Sequence, residues 1–302
     1  MTLPSSGAIS LNQMHVEVGG TSETTVSIND ADVRAMISKS SETQMSFNEW
    51  YGASSGGGGA SVALTEVGYL NVQISSNVSR SSYTKTYTVQ NATVTSGKRH
   101  VIIAFTYRPL SLSGYNSTSW MTACTLNFDG TDMDHVISAG SSFNDRGIFE
   151  KTMNVGTGSK NIKLTFPVTT NGGEGSYSIL ILDNVNEVNG SSNASFTSAG
   201  GTTSRSLSSV PVGTTNFPSG YTHFLKLVAS NTSNSSNTWT YSGGTGEGTY
   251  TFIGGGDNGT NERNSSYYRF ASGTMSANIS GSVSGNTASS GSAIIGLARG
   301  FK

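Results

Sequence analysis

Across the first fifty residues one arrangement of apolar and polar positions recurs three times. The copies are Ile9-Ser10-Leu11-Asn12-Gln13-Met14, Ile28-Asn29-Asp30-Ala31-Asp32-Val33 and Met45-Ser46-Phe47-Asn48-Glu49-Trp50. Each reads apolar, capping residue, two variable positions, acid or amide, apolar. This is a capping box inside a hydrophobic staple. The Ser or Asn oxygen accepts a first-turn N–H, the Gln, Asp or Glu reaches back, and the flanking apolar pair clamps the entry. An apolar stripe follows each cap: Leu11, Met14 and Val18; Val33, Met36 and Ile37; Phe47, Trp50 and Tyr51. Those spacings share one helical face. Residues 1–52 are thus expected to hold three short helices.

A segment of roughly 50–60 residues buries little surface and is marginal without disulfides or metal. Packing against a partner is the expected remedy, with Ile9, Leu11, Met14, Val33, Met36, Phe47 and Trp50 as the docking residues. Residues 53–61, ASSGGGGAS, have the composition of a flexible tether. A docking segment, a tether and a large domain over 62–302 form the layout of an appendage. The alternative is that the helices cap one end of the following domain.

After the tether the period shortens to two. Ile162, Leu164 and Phe166 alternate with Lys163 and Thr165, and Thr84 to Val89 alternates likewise. Three runs are apolar throughout: Val101 to Phe105, Ile179 to Leu182, and Ala293 to Leu297. Residues pointing both ways are then buried, which marks central strands covered on two sides. Tyr221 to Val228 and Ser266 to Phe270 are further strand candidates. Asp129-Gly130, Asn171-Gly172-Gly173 and Asn258-Gly259 are turn signals between strands. The expectation is a mainly β chain: a β-sandwich of jelly-roll type preceded by a small module of short helices. Residues 186–218, 230–248 and 254–266 read as long polar loops.

Composition narrows the function. A net charge of −1 argues against nucleic acid, which needs a basic surface to neutralise phosphates. No run is long enough to span a membrane, and no signal peptide opens the chain. Synthesis in a cytosol is the expectation. The single cysteine, Cys124, lies in a strand-like run and reads as a buried, inert thiol.

Candidate chemistry is sparse. Asp129, Asp132, Asp134 and His135 form the densest titratable group, and carboxylates so placed suggest glycoside hydrolysis or calcium. Their spacing fails the EF-hand pattern, and Asp129-Gly130 reads as a hairpin turn. His100 and His223 read as hydrogen-bonded edge residues beside apolar strands. No nucleophile elbow is present, and Gly254 to Gly259 lacks the Lys and helix of a phosphate loop. No cofactor or metal site is expected, and no catalytic residue. Aromatic residues beside polar loops are the better lead: Tyr115, Trp120, Trp239 and Tyr241 are candidates for contact with glycan, alongside the ordinary reading that such rings close a core.

Two stretches carry a resemblance. Leu3 to Leu11, with Ile28 to Arg34 and Met45 to Phe47 leading to Tyr51-Gly52, resembles the N-terminal segment of structural proteins of tailed bacteriophages, including tail-fibre, baseplate-associated and minor virion proteins. In that family a glycine-rich break and an unrelated β domain follow. Arg99 to Ala104, Leu126 to Gly130, Lys160 to Phe166 and Ile179 to Val185 look like a β-sandwich repeat of phage and bacterial surface proteins. The resemblance implies a non-enzymatic virion protein docked to other tail or baseplate proteins, with its β domain turned to host surface glycan or a neighbour. By the same analogy the assembly is a homotrimer, although no coiled-coil heptads enforce one. A lectin-like receptor protein, a capsid decoration or head fibre, and a polysaccharide-degrading spike are the alternatives.

Overall fold

The computed structural model describes residues 3–37, 39, 43–51, 53, 62–91, 98–109, 122–141, 144–198, 204–210, 221–232, 240–243, 248–257, 263–272, 279–284 and 292–302. The chain is mainly β, in three antiparallel sheets, as the period-two patterning predicts. Among the described residues, helix is confined to the N-terminal segment and the short turn before Cys124. In the former, α1 spans Leu11–Glu17, α2 spans Ala31–Ala35, and Phe47–Trp50 form a 3-10 turn. The third expected helix is thus one turn only, because Tyr51 is already extended at φ −65° and ψ 124°.

The first sheet holds β1 (Ala63–Val89), β2 (Lys98–Pro109), β3 (Thr125–Phe128), β4 (Thr131–Asp132), β5 (Asp134–Ser141), β6 (Asn144–Met153) and β7 (Gly158–Val185). Its order is β4-β3-β7-β2-β6-β5, with β1 paired along β7 from Ala63↔Asp183 to Val89↔Gly158. Both long strands bend where the register shifts between Ile74 and Ser79. Asn171-Gly172-Gly173 lies at this bend within β7, not in a turn between strands, with Gly172 at φ 70°. That corrects the turn expectation: glycine supplies a kink that a continuous strand also needs.

Beyond the bend the ribbon doubles back onto its own sheet. Glu66 near the start of β1 accepts hydrogen bonds from Tyr87 Oη (3.1 Å), Gln90 N (2.5 Å) and Asn91 N (2.6 Å) at its far end. A Cβ on Gly68 would lie 2.6 Å from Tyr87 Cζ, so glycine permits the close approach. Tyr107 stacks on Phe166 with centroids 5.3 Å apart, and Tyr107 Oη donates to Gly172 O. One apolar cluster fills this fold: Tyr87, Val89, Leu126, Phe128, Ile162, Leu164 and Phe166 from the returning part meet Val101, Ile103, Phe105, Phe149, Ile179 and Ile181. Cys124 is buried in it, just ahead of β3.

The other face of the same strands meets the second sheet. That sheet holds β8 (Val188–Ser198), β10 (His223–Thr232), β12 (Thr251–Asp257), β13 (Arg263–Ser272) and β15 (Ser292–Phe301), in the order β12-β13-β10-β15-β8. Ile102, Ala104, Ile148, Leu180 and Leu182 pack there against Leu225, Leu227, Ala229, Ile295, Leu297 and Phe301. Alternate residues of β2 and β7 thus enter different cores, which is why both runs are apolar without interruption. The C-terminus is tied in, since Lys302 O accepts from Asn186 N and Glu187 N.

The third sheet is β11-β14-β9, from Thr240–Gly243, Ile279–Ser284 and Ser204–Val210. Three stretches expected as loops therefore contain strands: β8 and β9, β11, and β12 with part of β13. Ladder bonds are made by the backbone, so Ser-, Thr- and Gly-rich segments pair where a neighbour presents an edge. Gly254 in β12 has its own reason. A Cβ there would lie 2.6 Å from Cβ and Cδ2 of Tyr69 on β1. Gly254→Ala is expected to destabilise the chain by about 1–3 kcal/mol through overpacking, read from the denaturant midpoint. A shift below a few tenths of a kcal/mol would show that the ring moves aside freely.

Candidate functional site

The N-terminal segment is organised by its caps. In the first copy of the repeat Ser10 Oγ accepts from Gln13 N (3.2 Å), and Gln13 Oε1 accepts from Ser10 N (2.7 Å). In the third, Glu49 accepts from Ser46 N (3.0 Å) and pairs with Lys39 at 3.0 Å. That backbone bond, then Lys39, holds the Glu49 carboxyl below its ordinary range. The middle copy departs from expectation. Asp30, not Asn29, occupies the cap position, and its carboxylate accepts from Ser27 N. Asn29 Oδ1 is taken by Arg34 Nη1 (2.7 Å), whose Nη2 donates to Thr43 O (2.7 Å). A competing cation has drawn the amide away from the helix.

The stapled pairs turn inward. Met14 and Trp50 are fully buried, and Ile9 and Met45, the residues preceding the two capping serines, pack against the same cluster. Leu3, Val33 and Met36 complete the buried set. No member of this cluster belongs to either cluster of the β region. Leu3 N donates to Ala53 O, and Tyr51 Oη donates to Gly7 O, so the two ends of the segment are fastened together. The expected docking set thereby divides. Met14, Val33, Met36 and Trp50 are spent on the segment's own interior, and Ile9 is half-buried, because a staple satisfies its apolar pair internally. Leu11 and Phe47 remain exposed, at 37% and 57%.

The four aromatic residues considered for glycan contact do not enter this picture. Tyr115, Trp120 and Trp239 lie outside the described residues, and of Tyr241 only the backbone, in β11, is described. The aspartate group forms the expected hairpin. Asp129 and Gly130 both have positive φ (48° and 89°) between β3 and β4. Asp129 pairs with Lys160, Asp134 with Lys151, and Asp132 accepts from Asn127 Nδ2.

A polar network that sequence reasoning missed joins the two large sheets. Arg299 on β15 reaches Glu150 on β6, with Nε 3.1 and 2.9 Å from the two carboxylate oxygens. His100 on β2 sets Nδ1 2.9 Å from Thr152 Oγ1 and Nε2 3.4 Å from Glu150 Oε2, and its ring lies 5.5 Å from that of Phe301. His100 is thus an interior residue rather than an edge one: β2 has neighbours on both sides. His223, on central β10, is not on an edge strand either; it stacks on Phe270, and burial lowers its pKa. Next to His100, Arg99 and Asp183 form an enclosed ion pair, Nε to Oδ1 2.7 Å, and Arg99 also donates to Asn91 O. Charged residues flanking apolar runs were the only signal for these contacts, and their partners lie far away in sequence.

The network fixes sheets together, and its environment shifts the carboxyl of Glu150. Burial pushes the Glu150 carboxyl up, but hydrogen bonds from His100 and Arg299, with their charges, outweigh this and hold it below its ordinary value. A carboxyl depressed in the folded state contributes stability above its unfolded pKa and loses it as pH falls through the folded value. Acid is therefore expected to destabilise the chain across and below the ordinary glutamate range near 4.5. In Glu150→Gln that part of the pH dependence is expected to vanish, which melts taken between about pH 3 and pH 7, across the ordinary glutamate range, will reveal. An unchanged slope rejects the assignment.

Among the described residues no group of three or more His, Cys, Asp or Glu is placed to hold a metal, and no helix is long and apolar enough to cross a membrane. No protein-family model, curated protein or solved structure matches the chain.

Proposed function

We propose that the chain is a non-enzymatic structural protein of a tailed-phage virion, a tail fibre or baseplate-associated appendage. Residues 1–52 dock it to the particle, residues 53–61 are the tether, and residues 62–302 form a β-sandwich of jelly-roll type presented to the host surface or a neighbouring subunit. One observation carries the reading: residues 3–53 close a core of their own, fastened end to end and sharing no residue with the β cores. A mere cap on the β domain would be expected to lend its apolar residues to that domain. The resemblance of the capped segment to virion proteins supplies the particle, and a homotrimer follows by the same analogy.

The test is sedimentation with virions assembled without this protein. Full-length chain is expected to co-sediment, and a chain beginning at Ser61 is expected to stay in the supernatant. Equal binding by both would place attachment in the β region. A lectin-like role, or a place on the capsid as a head fibre, shares the same docking logic. Added host glycan that raises the melting temperature would favour the lectin.

A further inference from the structure

Along β2 and β7 the face turned toward the second sheet changes character. Residues two apart on a strand share a face, so Ile102 and Ala104 lead to Thr106, and Leu182 and Leu180 lead to Ser178 and Ser176. These three hydroxyl residues are at most 2% exposed. Arg146, fully buried on β6, is the register partner of Thr106 and continues the polar row. Tyr69 of β1 faces the same way, since it pairs with Ser178 and its ring lies against Gly254 of the second sheet.

A buried hydroxyl costs free energy unless it is hydrogen-bonded. Thr106 and Ser176 satisfy one another, with Oγ1 2.9 Å from Oγ. Ser178 Oγ and Tyr69 Oη are both enclosed, and neither forms a hydrogen bond within the protein. Burial raises the pKa of Tyr69 and Ser176 is near enough to lower it in part, yet no hydrogen bond closes between the two. Three hydroxyl oxygens thus stand on one face of β1 and β7. Two have no protein partner, and the third has accepting capacity to spare. The residues beside them are small: Ala104 is the register partner of Ser178 on β2, and Gly254 is next to Tyr69.

We propose that an internal water is bound at this place, bridging Tyr69 Oη and Ser178 Oγ, with Ser176 Oγ as its third partner. About three hydrogen bonds to otherwise unsatisfied groups is the usual complement of a buried water. The small neighbours suit a water and no larger ligand. Through it a row of hydroxyls lies against an aliphatic core without unpaired groups, and β1 and β7 gain a side-chain link beside their backbone ladder. The site is independent of the docking reading.

A high-resolution crystal structure of the native full-length chain is the direct test. Solvent density within hydrogen-bond distance of Tyr69 Oη and Ser178 Oγ is expected. Hydroxyls that close on each other or on Ser176, with no density between them, overturn the proposal. In solution, Ser178→Ala and Tyr69→Phe are each expected to shift the unfolding equilibrium toward the unfolded chain by about threefold to tenfold, the range for one lost hydrogen bond. The double variant is expected to fall short of the product of the two single effects, because the first change already loosens the shared water. An unchanged or stabilised Ser178→Ala would mean that its hydroxyl is buried unpaired, and additive effects would mean that no water is shared. Either result rejects the site.

Discussion

Replacing Asp183 with Ala is expected to lower the stability of the β region by about 3–5 kcal/mol, the usual cost of stranding one partner of a buried ion pair. Asp183 is fully enclosed and Arg99 is 1% exposed, so water reaches neither. The pair joins β2 to β7, and Arg99 also bonds Asn91, the residue whose N–H is taken by Glu66. Loss of the carboxylate leaves a guanidinium that is always charged in a region that disfavours charge. The bond to Asn91 O compensates only in part, since a carbonyl carries no formal charge. Changing both residues to apolar ones of similar volume is expected to cost much less than Asp183→Ala alone, because no uncompensated charge remains. Equilibrium denaturation of the two variants separates the cases. A loss below about 1 kcal/mol for Asp183→Ala would mean that water or a rearranged neighbour replaces the carboxylate.

The features legible in the sequence were those set by neighbours a few residues away. Ser10 with Gln13, the Asp129-Gly130 hairpin and the alternation at Ile162, Leu164 and Phe166 all follow from local spacing, and all appear. The uninterrupted runs on β2 and β7 announced burial on two faces, and the two cores supply it. What was illegible depended on partners distant in the chain. Nothing near Asn171 says that its glycines bend a strand rather than end one; that follows from pairing with β1 about ninety residues earlier. The strands β8, β9 and β11 are hidden for a related reason, since their Ser, Thr, Asn and Gly residues have turn composition and are recruited by backbone pairing. The burial of the N-terminal apolar residues was half legible. Their spacing marked an apolar face, but periodicity does not separate the side chains that close a small core from those left outside it.

That separation makes Trp50 the sharpest probe of the N-terminal segment. Trp50→Ala is expected to cost about 3–5 kcal/mol, as for other large aromatic residues removed from a core. A unit of some fifty residues has a total stability on the order of 3–7 kcal/mol, so this one change consumes most of it. The segment is expected to unfold while the β region, whose cores contain no residue of the N-terminal cluster, keeps its own transition. A melt followed by far-ultraviolet signal should retain its main step, and proteolysis should remove the segment while sparing the β region. Phe47, three residues earlier in the same repeat, is 57% exposed, and Phe47→Ser is expected to shift stability by no more than about 0.5 kcal/mol. Phe47→Ser is thus the control from the same repeat, an exposed apolar residue whose loss leaves the N-terminal core intact. If Trp50→Ala also lowers the main transition, the segment and the β region fold as one body, and the proposed separate docking segment gives way to a cap on a single fold.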